Sequence, residues 1–195
     1  VSSSNLGSTM SEKVLLIKID KPAGGPQHLS FSEPIGLCYI AAYLKLHDVD
    51  CKVIHLIRDN AERDLLDILE SYAPTTVGFS VRNFNFKISA NYAQLVRQVL
   101  PHARLIIGGE CITETNAADL LRDSGCDLAV ISDGEEATLQ YVRGTPPSTI
   151  PGVAFRDAHS ECLLSNAAPV RVIPSELPMM DRAGLPMEMY VAEAF

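Results

Sequence analysis

Short apolar runs alternate with helix-spaced stretches five times along this chain, and that alternation restricts the fold more than any single motif. The runs at 14–19 (VLLIKI), 51–57, 76–80 (TVGFS), 104–107 and 127–131 are too short for buried helices and are rich in β-formers. Each precedes a stretch with helical periodicity. After Ser32, Glu33 and Pro34, which are placed to cap and open a helix, Ile35, Leu37, Cys38, Ile40, Ala41 and Leu44 recur at helical spacing. Residues 62–72 put Leu65, Leu66, Ile68 and Leu69 inward, and Ile88, Tyr92, Leu95, Val96 and Val99 make the clearest amphipathic stripe. A helix over 115–124 is closed by Gly125, and Asp133 and Glu136 have the spacing of a capping pair for a last helix through Val142.

Strands that do not alternate strictly, each followed by a helix, imply a parallel sheet covered on both faces. The expected fold is therefore α/β, a doubly wound, five-stranded parallel sheet of flavodoxin-like type. Beyond Gly144 the segments 150–156 and 161–164 flank DAHS and predict a β-hairpin extension, with VRVI at 170–173 as a further edge strand. The expected organisation is a tag or leader at 1–12, the α/β domain at 13–145, the hairpin extension at 146–174 and a linker at 175–195.

Several classes of function are disfavoured by what the chain contains. The formal net charge of -8 and the lack of a Lys/Arg cluster argue against a nucleic-acid partner. No apolar run reaches the roughly 20 residues needed to span a bilayer. Five scattered cysteines, Cys38, Cys51, Cys111, Cys126 and Cys162, make no C-x-x-C pair and suit a reducing cytoplasm. The loop after the first strand has neither G-x-G-x-x-G nor G-x-x-x-x-G-K-[ST], so the usual phosphate cradles are missing. The third strand ends in Ser80 and Val81 rather than a phosphorylatable Asp.

Ligands of doubly wound folds bind beyond the carboxyl ends of the strands, where strand order reverses. In this chain those ends carry small residues: Gly24 and Gly25, Ser80, Gly108 and Gly109, and Gly134. Without Cβ atoms in the way, a large flat or elongated ligand can approach the backbone, although any one such glycine is also an ordinary turn residue.

The ordered set E33-P-I-G-L-x-Y-I-A-A-Y-L44, V77-G-F-S80, I107-G-G109, D133-G-E-E136, I150-P-G-V-A154 and E176-L-P178 resembles the N-terminal cobalamin (vitamin B12)-binding domain of class B cobalamin-dependent radical SAM enzymes. Within that family the likeness leans toward the tryptophan methylases of thiopeptide pathways, natural-product enzymes. The resemblance runs from about Val14 to about Arg182. It implies a B12-binding, Rossmann-like fold, with cobalamin contacts at Pro34, Gly36, Ser80, Val81, Arg82, Asn83, Gly108, Gly109, Glu110, Asp133, Gly134 and Glu135. It implies that the tail of cobalamin lies against the sheet edge, where Gly108 and Gly109 leave room.

Two departures shape the expectation. The D-x-H-x-x-G motif that supplies a cobalt ligand in B12 mutases is missing, and none of His28, His47, His55, His102 and His159 has its context. Base-off binding without a histidine ligand, and no metal ligand in this chain, is implied. The C-x-x-x-C-x-x-C motif for a [4Fe-4S] cluster and S-adenosylmethionine is also missing, which implies a downstream radical SAM domain in the parent polypeptide. In some relatives an arginine lies beneath the cobalt without coordinating it, and Arg82 is the matching candidate; a solvated arginine or one paired with Glu110 is the other reading. For the chain as a whole, the leading expectation is the cobalamin module of a methyltransferase. A stand-alone corrinoid carrier and a ligand-free flavodoxin-like interaction domain are the alternatives.

Overall fold

The computed structural model describes residues 12–20, 32–57, 60–157, 159, 161–164 and 168–192. Gly24, Gly25 and His28, the expected leader through residue 11, and part of the DAHS turn lie outside the described residues. Elements follow in the order β1 (Lys13–Ile19), α1 (Ile35–Leu46), β2 (Asp50–Leu56), α2 (Ala61–Tyr72), β3 (Thr76–Ser80), α3 (Phe86–Val99), β4 (Arg104–Gly108), α4 (Ala117–Ser124), β5 (Leu128–Val130), α5 (Glu135–Val142), β6 (Val153–Arg156), β7 (Cys162–Leu164) and α6 (Met187–Ala192).

Among the described residues seven strands form one sheet in the order β2-β1-β3-β4-β5-β6-β7. The first five pair in parallel, as expected, and β6 and β7 add antiparallel at one edge. The sheet thus has seven strands rather than five, because the hairpin continues the same ladder by pairing Val130 with Val153. Residues 170–173 form no strand, in contrast to the expected edge element. The backbone N–H of Val172 instead donates to the carboxylate of Asp133.

Alternate side chains of each strand serve opposite faces. Leu15, Ile17, Val77, Phe79, Leu105 and Ile107 pack beneath α2, α3 and α4. Val14 and Leu16, with Ile106, Leu128 and Val130, face α1 and α5. Strand order reverses between β1 and β3, so the switch point lies where Asp20 and Val81 leave the sheet.

Helix starts depart from the expected capping. Pro34 is the N-cap of α1 rather than a first-turn residue, and no side chain caps it. Glu33 is drawn away to Arg182. Gly134 is the N-cap of α5. The expected Asp133–Glu136 capping pair does not form, because Asp133 binds Val172 and Glu136 accepts from Tyr43 and Gln140.

The stretch expected as a linker packs against the domain over its described residues. Leu185 is buried in the cluster around α1 and β2, Asp181 pairs with Lys45, and the Asp181 N–H donates to the Cys38 carbonyl.

Candidate functional site

A cavity of about 390 Å³ opens at the carboxyl edge of the sheet, between its α1/α5 face and those two helices. The floor is made by same-face strand residues: Leu16 of β1, Gly78 and Ser80 of β3, Ile106 and Gly108 of β4, and Val130 of β5. Gly36, Leu37 and Ile40 of α1 form one wall, and Glu135 and Thr138 of α5 with the 132–134 turn form the other. Gly109, Glu110 and Ile112 stand at the β4 end.

The glycines of this site have different physical causes. Gly109 has φ +141, and a Cβ there would lie 2.1 Å from the Val81 carbonyl oxygen, so the bare backbone is required by the neighbouring strand end. Gly108 is under no such constraint. Its Cβ would meet only the Val130 Cβ, at 3.8 Å, so a side chain there is missing from the cavity floor rather than from the core. At Gly36 a Cβ would meet nothing within 4 Å. At Gly134 the constraint is helix packing, since a Cβ would come 2.8 Å from the Ile40 side chain. Ser132, a non-glycine at φ 73, is held in the left-handed region at the cavity rim.

Of the residues expected to contact a cofactor, Gly36, Ser80, Gly108, Gly109, Glu110, Asp133, Gly134 and Glu135 line this cavity. Pro34 is buried two residues before Gly36 of the α1 wall, and Val81 is fully buried in the opposite core cluster, touching the site through its backbone contact with Gly109. Arg82 stands beside the cavity. Its Nε lies 3.2 Å from Glu110, its Nη1 donates to Ser32 Oγ at 3.4 Å, and its guanidinium is 6.0 Å from the ring of the exposed Phe84. Asn83 is exposed in the turn that follows. Asn85, the N-cap residue of α3, uses Oδ1 to accept from the Arg82 N–H and Nδ2 to donate to the Ile19 carbonyl, tying β3's exit to β1.

Sequence reasoning missed a polar chain at the switch point. Lys18 is buried on the cavity-side face of β1 and donates to Ser32 and Asp20, the latter at 2.9 Å. Asp20 also accepts from His55 Nε2 at 2.9 Å, and His55 Nδ1 lies 2.7 Å from the Tyr190 hydroxyl. With the Nε2 proton assigned to Asp20, Nδ1 is the acceptor for Tyr190. Burial pulls the Lys18 ammonium and the His55 imidazole below their usual values. Burial opposes ionisation of Asp20 too, but the hydrogen bonds from His55 and Lys18 prevail and hold its carboxyl below the usual range. The signal available in the sequence was the lysine inside VLLIKI, a charge at an inward strand position that requires a partner. Among the other missed lining residues, Gly78, Ile106 and Thr138 share β3, β4 and α5 with residues expected at the site, whereas Leu16 and Val130 lie on β1 and β5, where none was expected.

The cysteines are free thiols, and burial pushes Cys38 up to about 11 and Cys51 and Cys126 up to about 12. No helix among the described residues is long and apolar enough to cross a membrane.

This is a doubly wound α/β domain with an open cleft at its topological switch. A family model, the B12 binding domain, matches residues 29–142, and the chain belongs to that family. It is a cobalamin-binding domain by that membership. The structure is similar to that of the apo cobalamin-dependent S-adenosylmethionine radical enzyme OxsB, with a TM-score of 0.68 at 15% identity over 87% of this chain. The match takes in 24% of that enzyme, so this chain spans about a quarter of its length. A cobalamin-binding protein from Desulfitobacterium hafniense DCB-2 matches at a TM-score of 0.42 and 15% identity, over 68% of this chain and 56% of that one. No curated protein matches this chain.

Proposed function

We propose that this domain holds base-off cobalamin for a radical SAM methyltransferase, with no imidazole ligand to cobalt from this chain. The observation that carries the reading is the cavity itself: an apolar α1 wall facing a polar α5 wall, a floor bare at Gly108, and an opening at the switch point. At about 390 Å³ it is too small for a corrin ring, but it suits a flat heterocycle such as the dimethylbenzimidazole end of cobalamin. The residues fit the group, because Gly108 lacks the side chain that would fill the space and nothing in the protein forbids one there. When bound, cobalamin supplies a cobalt centre that relays a methyl group from S-adenosylmethionine to a carbon acceptor.

The protein's share is to bind, orient and shield. Leu16, Ile40, Ile106 and Val130 keep water from the inserted end, while Ser80, Glu110 and Thr138 offer polar contacts. Arg82 is the candidate to stand beside the metal of the cofactor, where a guanidinium, having no lone pair to donate, would add positive charge without ligating it. The Ser32 and Glu110 contacts aim it. His55, the histidine of β2, is already committed to Asp20 and Tyr190. Residues 13–145 form the cofactor unit in this reading, 146–174 extend its sheet, and 175–195 lead toward a radical SAM domain of the same cytoplasmic polypeptide, which brings the [4Fe-4S] cluster and S-adenosylmethionine. The same methylation chemistry serves natural-product pathways.

Hydroxocobalamin titrated into the folded protein, followed by reduction and spin-resonance spectroscopy, tests this. The expected Co(II) signal shows no nitrogen splitting in the parent protein and becomes five-coordinate with nitrogen splitting in Arg82→His. Nitrogen splitting in the parent protein would sink the ligand-free assignment, and no absorbance change on titration would sink the cofactor site.

A further inference from the structure

Two consecutive carboxyls open α5 and meet opposite surroundings. Glu136 turns toward α1, where Tyr43 donates to it at 2.8 Å and Gln140 donates at 2.6 Å, and these bonds hold it below the usual carboxylate range. Glu135 turns into the cavity. It is only 7% exposed and shares a helical face with Thr138, three residues on and 3% exposed, and both line the same wall. Among the described residues no Lys, Arg or His forms an ion pair with Glu135.

The charged groups around it are otherwise engaged. On its own turn, Asp133 adds negative charge and is bound by the Val172 N–H. Across the cavity Glu110 is paired with Arg82, and on β1 Lys18 is held by Asp20 and Ser32. From α1, Tyr43 serves Glu136 and His47 bonds the Tyr43 carbonyl. Burial raises the Glu135 carboxyl, with Asp133 adding to the rise, and the backbone N–H groups at the start of α5 offset only part of it.

We infer that Glu135 meets the ligand as an un-ionised carboxylic acid that donates its O–H to an acceptor on it, so that binding takes up a proton. The inference rests on the cavity being the cobalamin site. The nucleotide end of cobalamin offers acceptors, its phosphodiester and ribose oxygens and the free ring nitrogen of its base, and few donors. An ionised Glu135 would confront that phosphodiester with a second negative charge, and a ligand that seals the cavity removes the remaining water that could solvate a carboxylate. A buried acid kept neutral to donate a hydrogen bond is an established use of such an environment. The proton comes from solvent and stays on the Glu135 carboxyl, so the step needs no other reactant.

Calorimetric titration with methylcobalamin, repeated in buffers of different ionisation enthalpy, reads proton uptake directly, and the difference between wild type and Glu135→Gln separates the carboxyl's proton from any taken up by the released base. Wild-type protein is expected to take up a proton and to lose affinity by up to about tenfold per pH unit above the carboxyl's free-state pKa. Glu135→Gln keeps a donor and cannot ionise, so it should lose the carboxyl's share of the uptake and of the slope, and bind more tightly than wild type at the alkaline end. Wild-type binding with no proton uptake, or a Glu135→Gln slope equal to wild type's, overturns the inference while leaving the cobalamin site standing. Failure of folded wild-type protein to bind at any pH removes the site itself, and the inference with it.

Discussion

The two faces of one sheet are built from neighbouring residues of the same strands, yet one is sealed throughout and the other is open at its carboxyl edge. In β3, Val77 and Phe79 fill the α2/α3/α4 face, while on the α1/α5 face Gly78 is covered by the Leu16 side chain and Ser80 adds little bulk at the edge. In β4, Leu105 and Ile107 go to the sealed face, and Ile106 and Gly108 to the open one. The lesson is that a period-2 strand lets stability and binding be set separately: large side chains on one face stabilise the sheet, and absent ones on the other make room. The hydrophobic transfer of each fully buried large side chain contributes about 1.5–3 kcal/mol, so the sealed face can support the sheet beneath a cavity that contributes little.

Three substitutions probe that division. The largest effect is expected from Phe79→Ala, a full-size deletion in the sealed core, which should lower the unfolding free energy by about 3–5 kcal/mol in denaturant titrations. If it costs no more than an exposed substitution, the sealed face is not the support. Next comes Gly109→Ala, which places a Cβ against the Val81 carbonyl at a backbone angle reserved for glycine; a loss of about 2 kcal/mol or more is expected by the same measurement. Smallest in stability, and sharpest for the comparison, is Gly108→Val. Its unfolding free energy should stay within about 1 kcal/mol of the parent, while affinity for hydroxocobalamin falls by about tenfold or more in an absorbance titration. A large stability loss without an affinity loss would reverse the roles assigned to these adjacent glycines.

Much of the architecture was legible because its signals are local. The strand runs and helix stripes came within a few residues of their observed bounds, and the hairpin at 153–164 was visible from its turn. Gly125 closes α4 as expected, but the residues at the helix starts were not legible. Glu33, Asp133 and Glu136 have good spacing for caps, but each finds a stronger long-range partner in Arg182, Val172 or Tyr43. The site was half legible: glycines at strand ends stand out, whereas Leu16, Ile106 and Val130 look like ordinary core residues until strand order shows which of their neighbours are missing.

By itself the sequence determined a parallel, doubly wound sheet and small residues at its carboxyl edge, because apolar periodicity and glycine placement act over a few residues. Tertiary structure decided what those glycines do, requiring Gly109 for a backbone contact and leaving Gly108 open to the cavity. It also joined Asp20, His55 and Tyr190, and set Glu135 apart from Glu136. The reason is that a strand's neighbour and a helix's facing surface depend on the order in which the sheet assembles, and no short window of the chain encodes that order.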